Sequence, residues 1–331
     1  MDSPSDPSVR LHVVTGKGGT GKTTVAAAMA LALTARGQRV LLVEVEGRQG
    51  ISQVLDVAPL GTTERSLVTD PSGGELVGLA VDAKAALLEY LQKFYKLGRA
   101  GTVLEKVGAV DFATTIAPGV RDVLLIGKVY EAVGRRTKGA RKRPVYDAVV
   151  LDAPPTGRIG RFLNVNSEVS EVARIGPVRN QADSITRLLQ SPTTVVHLVT
   201  LLEEMPVQET RDALAELGDL SLRVRSVVAN GVRPPLVTEE QARAITSDEE
   251  SVQEALASAL AAVDVKAGPA MVSGLHREAV DHVHRTRLQA ELQEVLADLP
   301  VPVHTLPHLS DGVESGGLRT LAAALDEQGG L

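Results

Sequence analysis

Short apolar runs alternate with longer helical patterns along most of the chain. Residues 11–15, LHVVT, are apolar and partly β-branched, and the glycines that follow predict a buried strand leading into a loop. Residues 23–36 are rich in Ala and Leu and stop before Gly37, the pattern of a helix ended by glycine. The apolar run RVLLVEVEG at residues 39–47 predicts a second strand. Two strands joined by a helix make a βαβ unit, so the sequence predicts an α/β fold with a doubly wound, mostly parallel sheet.

Further apolar runs bring the predicted sheet to about seven or eight strands. They lie at residues 76–81, 146–151, 193–201, 222–229 and 303–306. Helical patterns occupy most of residues 83–135 and 165–190, and residues 238–299 form another helical, charged stretch. We therefore expect a single domain over residues 1–331, in which residues 83–135 and 165–190 form a helical subdomain inserted over the carboxyl edge of the sheet.

Composition favours a globular protein of the cytoplasm. The chain has 331 residues, of which 44% are hydrophobic, enough to build a large core. No apolar run approaches the roughly 18 residues of a membrane span, so direct membrane insertion is not expected. The first residues, MDSPSDPSV, are polar and do not resemble a signal peptide, which favours a cytoplasmic location.

Cysteine and charge exclude several classes of function. The sequence contains no cysteine, so thiolate nucleophiles, iron–sulfur clusters and thiolate sites for zinc or metalloids are excluded. The formal net charge is −6, and the one dense basic run, RRTKGARKR at residues 135–143, has the character of a solvated loop. Because aromatic residues that could stack on bases are scarce, no nucleic-acid partner is expected.

The glycine-rich stretch between the first strand and the first helix predicts phosphate chemistry. Residues 15–24, TGKGGTGKTT, contain the pattern G-x-x-x-x-G-K-[ST] in the place that a phosphate-binding loop requires. Its glycines let backbone amides turn toward a phosphate, and the helix start adds its positive end. Lys22 is expected to neutralise β- and γ-phosphate charge, and the Thr23 hydroxyl to ligate Mg²⁺. The predicted nucleotide-contacting residues are Gly16, Gly18, Gly19, Thr20, Gly21, Lys22, Thr23 and Thr24.

Carboxylates at strand ends are the candidates for metal binding and for orienting water. Asp152 follows an apolar run and is predicted to hold the Mg²⁺ shell, whereas Asp147 lies at the start of that strand, the wrong end for such a site. Glu44 and Glu46 are two residues apart and so share one face of the second strand. Glu46 is nearer the carboxyl end and is the preferred water-orienting residue; the alternative is a solvated or structural pair.

The phosphate loop also carries the resemblance to a known family. GKGGTGK fits every fixed position of the deviant-Walker loop G-K-G-G-x-G-K-[ST], and the chain resembles the ArsA-type family of arsenite-pump and tail-anchored-protein-targeting ATPases. Three later segments carry the same resemblance, in the order that the family has them. LDAPPTGRIGRFL resembles the family's switch segment, LLEEMPVQETRDAL resembles its PEEMSVYETERL segment, and VVANGVRPP resembles its adenine-contacting strand end. This likeness identifies the chain as a cysteine-free bacterial member with P-loop NTPase topology.

The resemblance implies ATP as the substrate, Mg²⁺ as the cofactor and a role for the second lysine of the loop. Lys17 would reach across a face-to-face dimer to the nucleotide phosphates of the partner. Thr156 and Gly157 would belong to a switch that senses the γ-phosphate. Asn230 would hydrogen-bond adenine, although its position alone suggests a residue of the turn after a strand. The predicted catalytic residues are therefore Lys17, Lys22, Glu46 and Asp152, and the predicted metal-binding residues are Thr23 and Asp152.

Two departures from the family affect the expected activity. Where the family has Asp-Pro-Ala, residues 46–48 are Glu-Gly-Arg, so the water-orienting carboxylate is one methylene longer and hydrolysis is expected to be slow or differently timed. Arg158 replaces a switch histidine; it cannot relay a proton, and it either stabilises phosphate oxygens or is solvated.

The leading hypothesis is a Mg²⁺-dependent ATPase that acts as a nucleotide-bridged homodimer, or as a heterodimer with a paralogue, and handles a protein client or membrane partner. An alternative is a hydrolysis-impaired nucleotide-binding subunit of such a heterodimer. A partition or positioning ATPase is disfavoured, because the C-terminal LRTLAAALDEQGGL is not a basic amphipathic helix.

Overall fold

A central sheet of eight strands organises the protein, for which a computed structural model describes residues 9–45, 47, 49–87, 89, 118–139, 141–164, 177–310, 312–313 and 315–331. The order across the sheet is β3-β4-β2-β5-β1-β6-β7-β8. The strands are β1 (Leu11–Gly16), β2 (Arg39–Glu44), β3 (Arg65–Thr69), β4 (Glu75–Ala80), β5 (Ala148–Asp152), β6 (Thr194–Thr200), β7 (Val224–Val232) and β8 (Val303–Pro307). This confirms the predicted α/β fold and its mostly parallel sheet.

The strand β3 was not predicted from the sequence, and it runs antiparallel to its neighbour in the sheet. It pairs antiparallel with β4 at the edge of the sheet, whereas the other strand pairs are parallel. Its sequence, RSLVT, is short and only half-buried, so it lacks the continuous apolar run that marks the buried central strands.

Helices cover both faces of the sheet. The described helices are α1 (Lys22–Ala35), α2 (Gly50–Val54), α3 (Pro118–Gly134), α4 (Thr156–Leu163), α5 (Pro177–Leu189), α6 (Glu204–Asp219), α7 (Glu239–Ser247), α8 (Glu249–Ala262), α9 (Pro269–Ala297) and α10 (Ser315–Glu327). Side chains of α1, α2 and α10 form the hydrophobic core on one face. Side chains of α3 to α6, with the end of α9, form the core on the other face.

The helix α1 lies where the sequence predicts it. Its Ala, Val and Leu side chains are almost entirely buried between the sheet and α10, which explains why it is apolar on nearly every side. It ends in the glycine stop: Gly37 has φ 81°, and its N–H donates to the carbonyl of Thr34 over 2.9 Å.

The predicted helical insertion can be followed only in part. Residues 90–117 and 165–176 lie outside the described residues. The described helices α3 and α5 pack against the core on one face of the sheet. The division into one domain with an inserted subdomain therefore stays a prediction. No helix in the described ranges is both long enough and apolar enough to cross a bilayer.

A pair of buried histidines crosses the sheet between β1 and β6. Nδ1 of His12 lies 3.1 Å from Nε2 of His197, whose Nδ1 lies 2.9 Å from the hydroxyl of Ser226 on β7. Burial, with the nearby Arg225 and Arg36, lowers the pKa of His12 to about 4, and burial also lowers the pKa of His197 well below its usual value. Both rings are therefore neutral at neutral pH.

This burial predicts a loss of stability in mild acid. An unfolded histidine takes up a proton near pH 6.5, whereas folded His12 does so only near pH 4, so stability falls as the pH drops through that window. His12 alone accounts for a loss on the order of 3 kcal/mol. We expect His12→Gln, which cannot take up the proton, to flatten the pH dependence of the free energy of unfolding measured by urea titration.

The matched control is His284→Gln at an exposed position of α9. It is expected to keep the pH dependence of the wild type. A His12→Gln protein that loses as much stability as the wild type between pH 7 and pH 4.5 would contradict this assignment.

Candidate nucleotide-binding site

The phosphate loop lies at the centre of the sheet, between β1 and α1. Strand β1 has β5 on one side and β6 on the other, so the loop leaves the sheet where the strand order changes direction. The carboxyl ends of β1, β2 and β5 meet here, because Asp152 is in register with both Val14 and Glu44. The topology therefore brings the loop and the strand-end carboxylates to one edge.

Two glycines of the loop are required by close contacts. A Cβ on Gly16 would lie 2.0 Å from the carbonyl oxygen of Val199 on β6. Gly21 has φ 84°, and a Cβ there would lie 2.3 Å from Nδ2 of Asn230. The loop is thus fitted closely against β6 and β7.

Polar side chains hold the loop in its curved shape. The hydroxyl of Thr20 and the ammonium of Lys22 both donate to the carbonyl oxygen of Lys17, over 2.9 and 3.0 Å. Nδ2 of Asn230 donates to the carbonyl oxygen of Thr20 over 2.9 Å. Lys22 therefore folds back over its own loop, where a bound phosphate would meet it.

The two predicted metal-binding residues are in direct contact. The hydroxyl of Thr23, in the first turn of α1, donates to Oδ2 of Asp152 over 2.7 Å. Together with Gly19, Gly21, Lys22, Glu44 and Ala153 they line a cavity of about 290 Å³. A hydroxyl and carboxylates suit Mg²⁺, which keeps several waters and is held largely by the phosphates of its nucleotide. The described residues contain no cluster of three or more His, Asp or Glu side chains that could hold a metal ion.

The second strand ends earlier than its sequence predicted. The strand ends at Glu44 rather than continuing to Gly47, and Glu46 lies outside the described residues, so its role as water-orienting residue stays a prediction. Glu44 is the glutamate that the structure places in the cavity, with 3% of its surface exposed. Its register with Asp152 could have indicated this from the strand alignment. Asp147 lies at the amino end of β5, where it accepts a hydrogen bond from the backbone of Arg39.

Lys17 makes a contact that the sequence did not suggest. Its ammonium pairs with Oε1 of Glu209 on α6 over 2.8 Å, whereas the ammonium of Lys22 bonds within the loop. Oε2 of the same glutamate accepts a hydrogen bond of 3.4 Å from the hydroxyl of Thr156, at the start of α4. The signal for Glu209 was its place in LLEEMPVQETRDAL, one of the segments that carried the family resemblance.

Comparisons with known proteins agree with this arrangement. A sequence profile described as anion-transporting ATPase, the ArsA ATPase family, matches residues 9–192. The chain belongs to this family. ATPase BagA of Mycobacterium tuberculosis is 50% identical over 321 residues, which cover 97% of this chain and 94% of that protein.

More distant relatives carry the name of the family's pumps. The arsenical pump-driving ATPase of Acidiphilium multivorum is 28% identical over 323 residues, covering 92% of this chain but 52% of that protein. An arsenical pump-driving ATPase of Escherichia coli is 27% identical over 235 residues, covering 66% of this chain and 39% of that protein. This ArsA-family chain thus spans about half or less of the length of these two relatives.

Asn230 provides a test of how this ArsA-family site binds its nucleotide. It lies within β7 near a break in the pairing with β8, and its amide holds the loop at Thr20. Asn230→Asp replaces the donor by a carboxylate facing the Thr20 carbonyl, so the loop should loosen. We expect about tenfold weaker binding, equal for ATP, GTP and tripolyphosphate, measured by calorimetry.

If adenine recognition were the main role of this side chain, only ATP binding would weaken, and the loop-holding interpretation would be wrong. Asn180→Asp on the exposed face of α5 makes the same chemical change away from the site. It should leave all three affinities as they are in the wild type.

Proposed function

We propose that this ArsA-family protein is a cytoplasmic, Mg²⁺-dependent ATPase that switches between an open form and a dimer bridged by ATP. The observation that carries the proposal is the division between the two lysines of the loop. Lys22 bends back over its own loop, whereas Lys17 pairs with Glu209 on α6. This difference supports a role for Lys22 at the phosphates of its own subunit and a separate role for Lys17.

The proposed reaction is attack of water on the γ-phosphate of ATP, with ADP as leaving group. Lys22 spreads charge from the β- and γ-phosphates, and the Thr23 hydroxyl, fixed by Asp152, is positioned to hold Mg²⁺. The bound Mg²⁺ would neutralise charge that develops on the phosphate oxygens. Glu46 is the proposed residue that orients the water, and its longer side chain supports a slow turnover.

Lys17 can exchange its present partner for a nucleotide at little cost. Its pair with Glu209 is partly exposed, with 29% and 36% of the two side chains accessible. Such pairs contribute about 0.2–1 kcal/mol. A triphosphate carries several negative charges, so we propose that the nucleotide of a second subunit displaces Glu209. The same exchange removes an ion-pair partner from the glutamate that bonds Thr156, which couples dimerisation to the switch segment.

The two lysines predict different losses when each is removed. Lys22→Ala should lose nucleotide binding and turnover together. Lys17→Ala should bind ADP as the wild type does, but its ATP-dependent dimer, measured by analytical ultracentrifugation, should be lost and its turnover should fall at least about tenfold.

Unchanged turnover and an intact dimer in Lys17→Ala would contradict the bridging role. Wild-type turnover that equals that of Lys22→Ala, combined with tight binding of Mg·ATP, would instead favour a hydrolysis-impaired subunit that serves a paralogue.

Removal of Glu209 should ease dimerisation. Glu209→Gln keeps the size of the side chain and its hydrogen bond to Thr156 but releases the Lys17 ammonium. We expect ATP-dependent dimers to form with about two- to fivefold higher affinity, the size of an exposed ion pair. The control is Glu204→Gln, an exposed carboxylate in the first turn of α6, which should dimerise as the wild type does. A weaker dimer in Glu209→Gln would mean that this glutamate supports the closed form.

For the partner that this switch serves, we propose a protein client or a membrane protein. Two relatives are named for driving an arsenical pump. The present sequence has no cysteine, so a thiolate site for a metalloid is not available within it. Comparing what co-purifies with the ADP form and with the form bound to a non-hydrolysable ATP analogue would identify the partner.

A further inference from the structure

Glu44 is a carboxylate buried beside the phosphate loop, where burial has to be compensated. Its side chain is 3% exposed and lines the cavity that also contains Lys22, Thr23 and Asp152. A carboxylate removed from water is unfavourable unless charges or hydrogen bonds replace its hydration. The partners of its two oxygens therefore decide what Glu44 does.

The two oxygens of Glu44 have very different surroundings. Oε1 accepts a hydrogen bond of 3.2 Å from the backbone N–H of Gly50 at the start of α2. Oε2 is buried and accepts no hydrogen bond from the described part of the chain. Buried polar atoms in native proteins are almost always satisfied, and an exception points to a water or an ion that completes the site.

Glu44 lies beside the two residues that are proposed to hold the metal of the nucleotide. Glu44 is the register partner of Asp152 on the adjacent strand, so the two side chains leave the same face of the sheet. Gly50, which holds Oε1, also packs against Thr23, since a Cβ on Gly50 would lie 3.1 Å from Cγ2 of that threonine. Glu44, Thr23 and Asp152 thus surround one corner of the cavity.

We propose that Glu44 is a second acidic positioning residue of the Mg²⁺ site, whose Oε2 accepts a hydrogen bond from water bound to the metal. This inference rests on the proposed ATPase function and adds a residue to it. Mg²⁺ keeps several waters when it binds with a nucleotide, and these waters are strong donors. The arrangement gives the orphan oxygen a donor and gives the metal a second negative charge. Glu46, which follows the end of the strand, keeps the separate task of orienting the attacking water.

The test compares nucleotide binding with and without the metal. Glu44→Gln keeps the size of the side chain but removes its charge. The measured quantity is the ratio of the Kd for fluorescent mant-ADP in EDTA to the Kd in Mg²⁺. We expect this ratio to fall about tenfold in Glu44→Gln, as is typical when a residue that supports metal ligands is changed. Binding in EDTA should be equal to that of the wild type or tighter, because a negative charge near the phosphates has been removed.

A lower ratio together with unchanged or tighter binding in EDTA distinguishes a role at the metal from a purely structural role. A variant that is only damaged would weaken binding in EDTA and in Mg²⁺ alike and leave the ratio unchanged, which would overturn the proposal. Glu46→Gln should keep the ratio of the wild type while its turnover falls. Glu75→Gln, on the amino end of β4 and paired with Arg39, is the matched control and should change neither quantity.

A second variant decides the question if Glu44→Gln does not fold. Glu44→Asp keeps the charge and retracts it by one methylene, so its ratio should fall severalfold and by less than tenfold. A wild-type ratio in Glu44→Asp would overturn the role of Glu44. Wild-type protein that binds no mant-ADP at all would overturn the proposed function itself, whereas a failure confined to Glu44 leaves that function standing.

Discussion

The hydrogen bond of 2.7 Å between Thr23 and Asp152 is the contact on which the geometry of the site depends. It ties the first turn of α1 to the carboxyl end of β5, two elements that are 129 residues apart in the sequence. Because it fixes the start of α1, it also fixes the end of the phosphate loop. The bonds of Lys22 to the Lys17 carbonyl and of Asn230 to the Thr20 carbonyl then shape the loop that leads into this fixed helix start.

Local sequence predicted those parts of the protein that depend on local chemistry. The phosphate loop, α1 and the strand before it were predictable because glycine spacing, an Ala-rich helix and a buried apolar run each have a direct physical cause. The edge strand β3 was not, since its five residues are exposed or only half-buried and gain their structure from pairing with β4. The contact of Lys17 with Glu209 was also beyond prediction, because it joins side chains from a loop and a distant helix.

The end of β2 shows what a sequence pattern leaves open. The alternation of side chains along a strand predicted that Glu44 and Glu46 share one face, and the position of Glu46 nearer the carboxyl end favoured it as the water-orienting residue. The strand in fact ends at Glu44, which remains in register with Asp152, and this position gives it burial and an unsatisfied oxygen. A sequence can show that two carboxylates share a face. Only the structure shows that Glu44, the last residue of the strand, lines the cavity.

The charges around the loop form two sets that respond to different events. Lys22, Thr23, Glu44 and Asp152 line one cavity, so the proposed binding of nucleotide and metal within a single subunit would alter all of them. Lys17, Glu209 and Thr156 form a second set, in which the Lys17–Glu209 pair is partly exposed and Thr156 is buried. Lys17 connects the sets because its backbone carbonyl receives Lys22 while its side chain holds Glu209. Phosphates that draw Lys22 away from that carbonyl would therefore loosen Lys17 itself, and in the proposed function this would connect nucleotide binding to the proposed dimer through one residue.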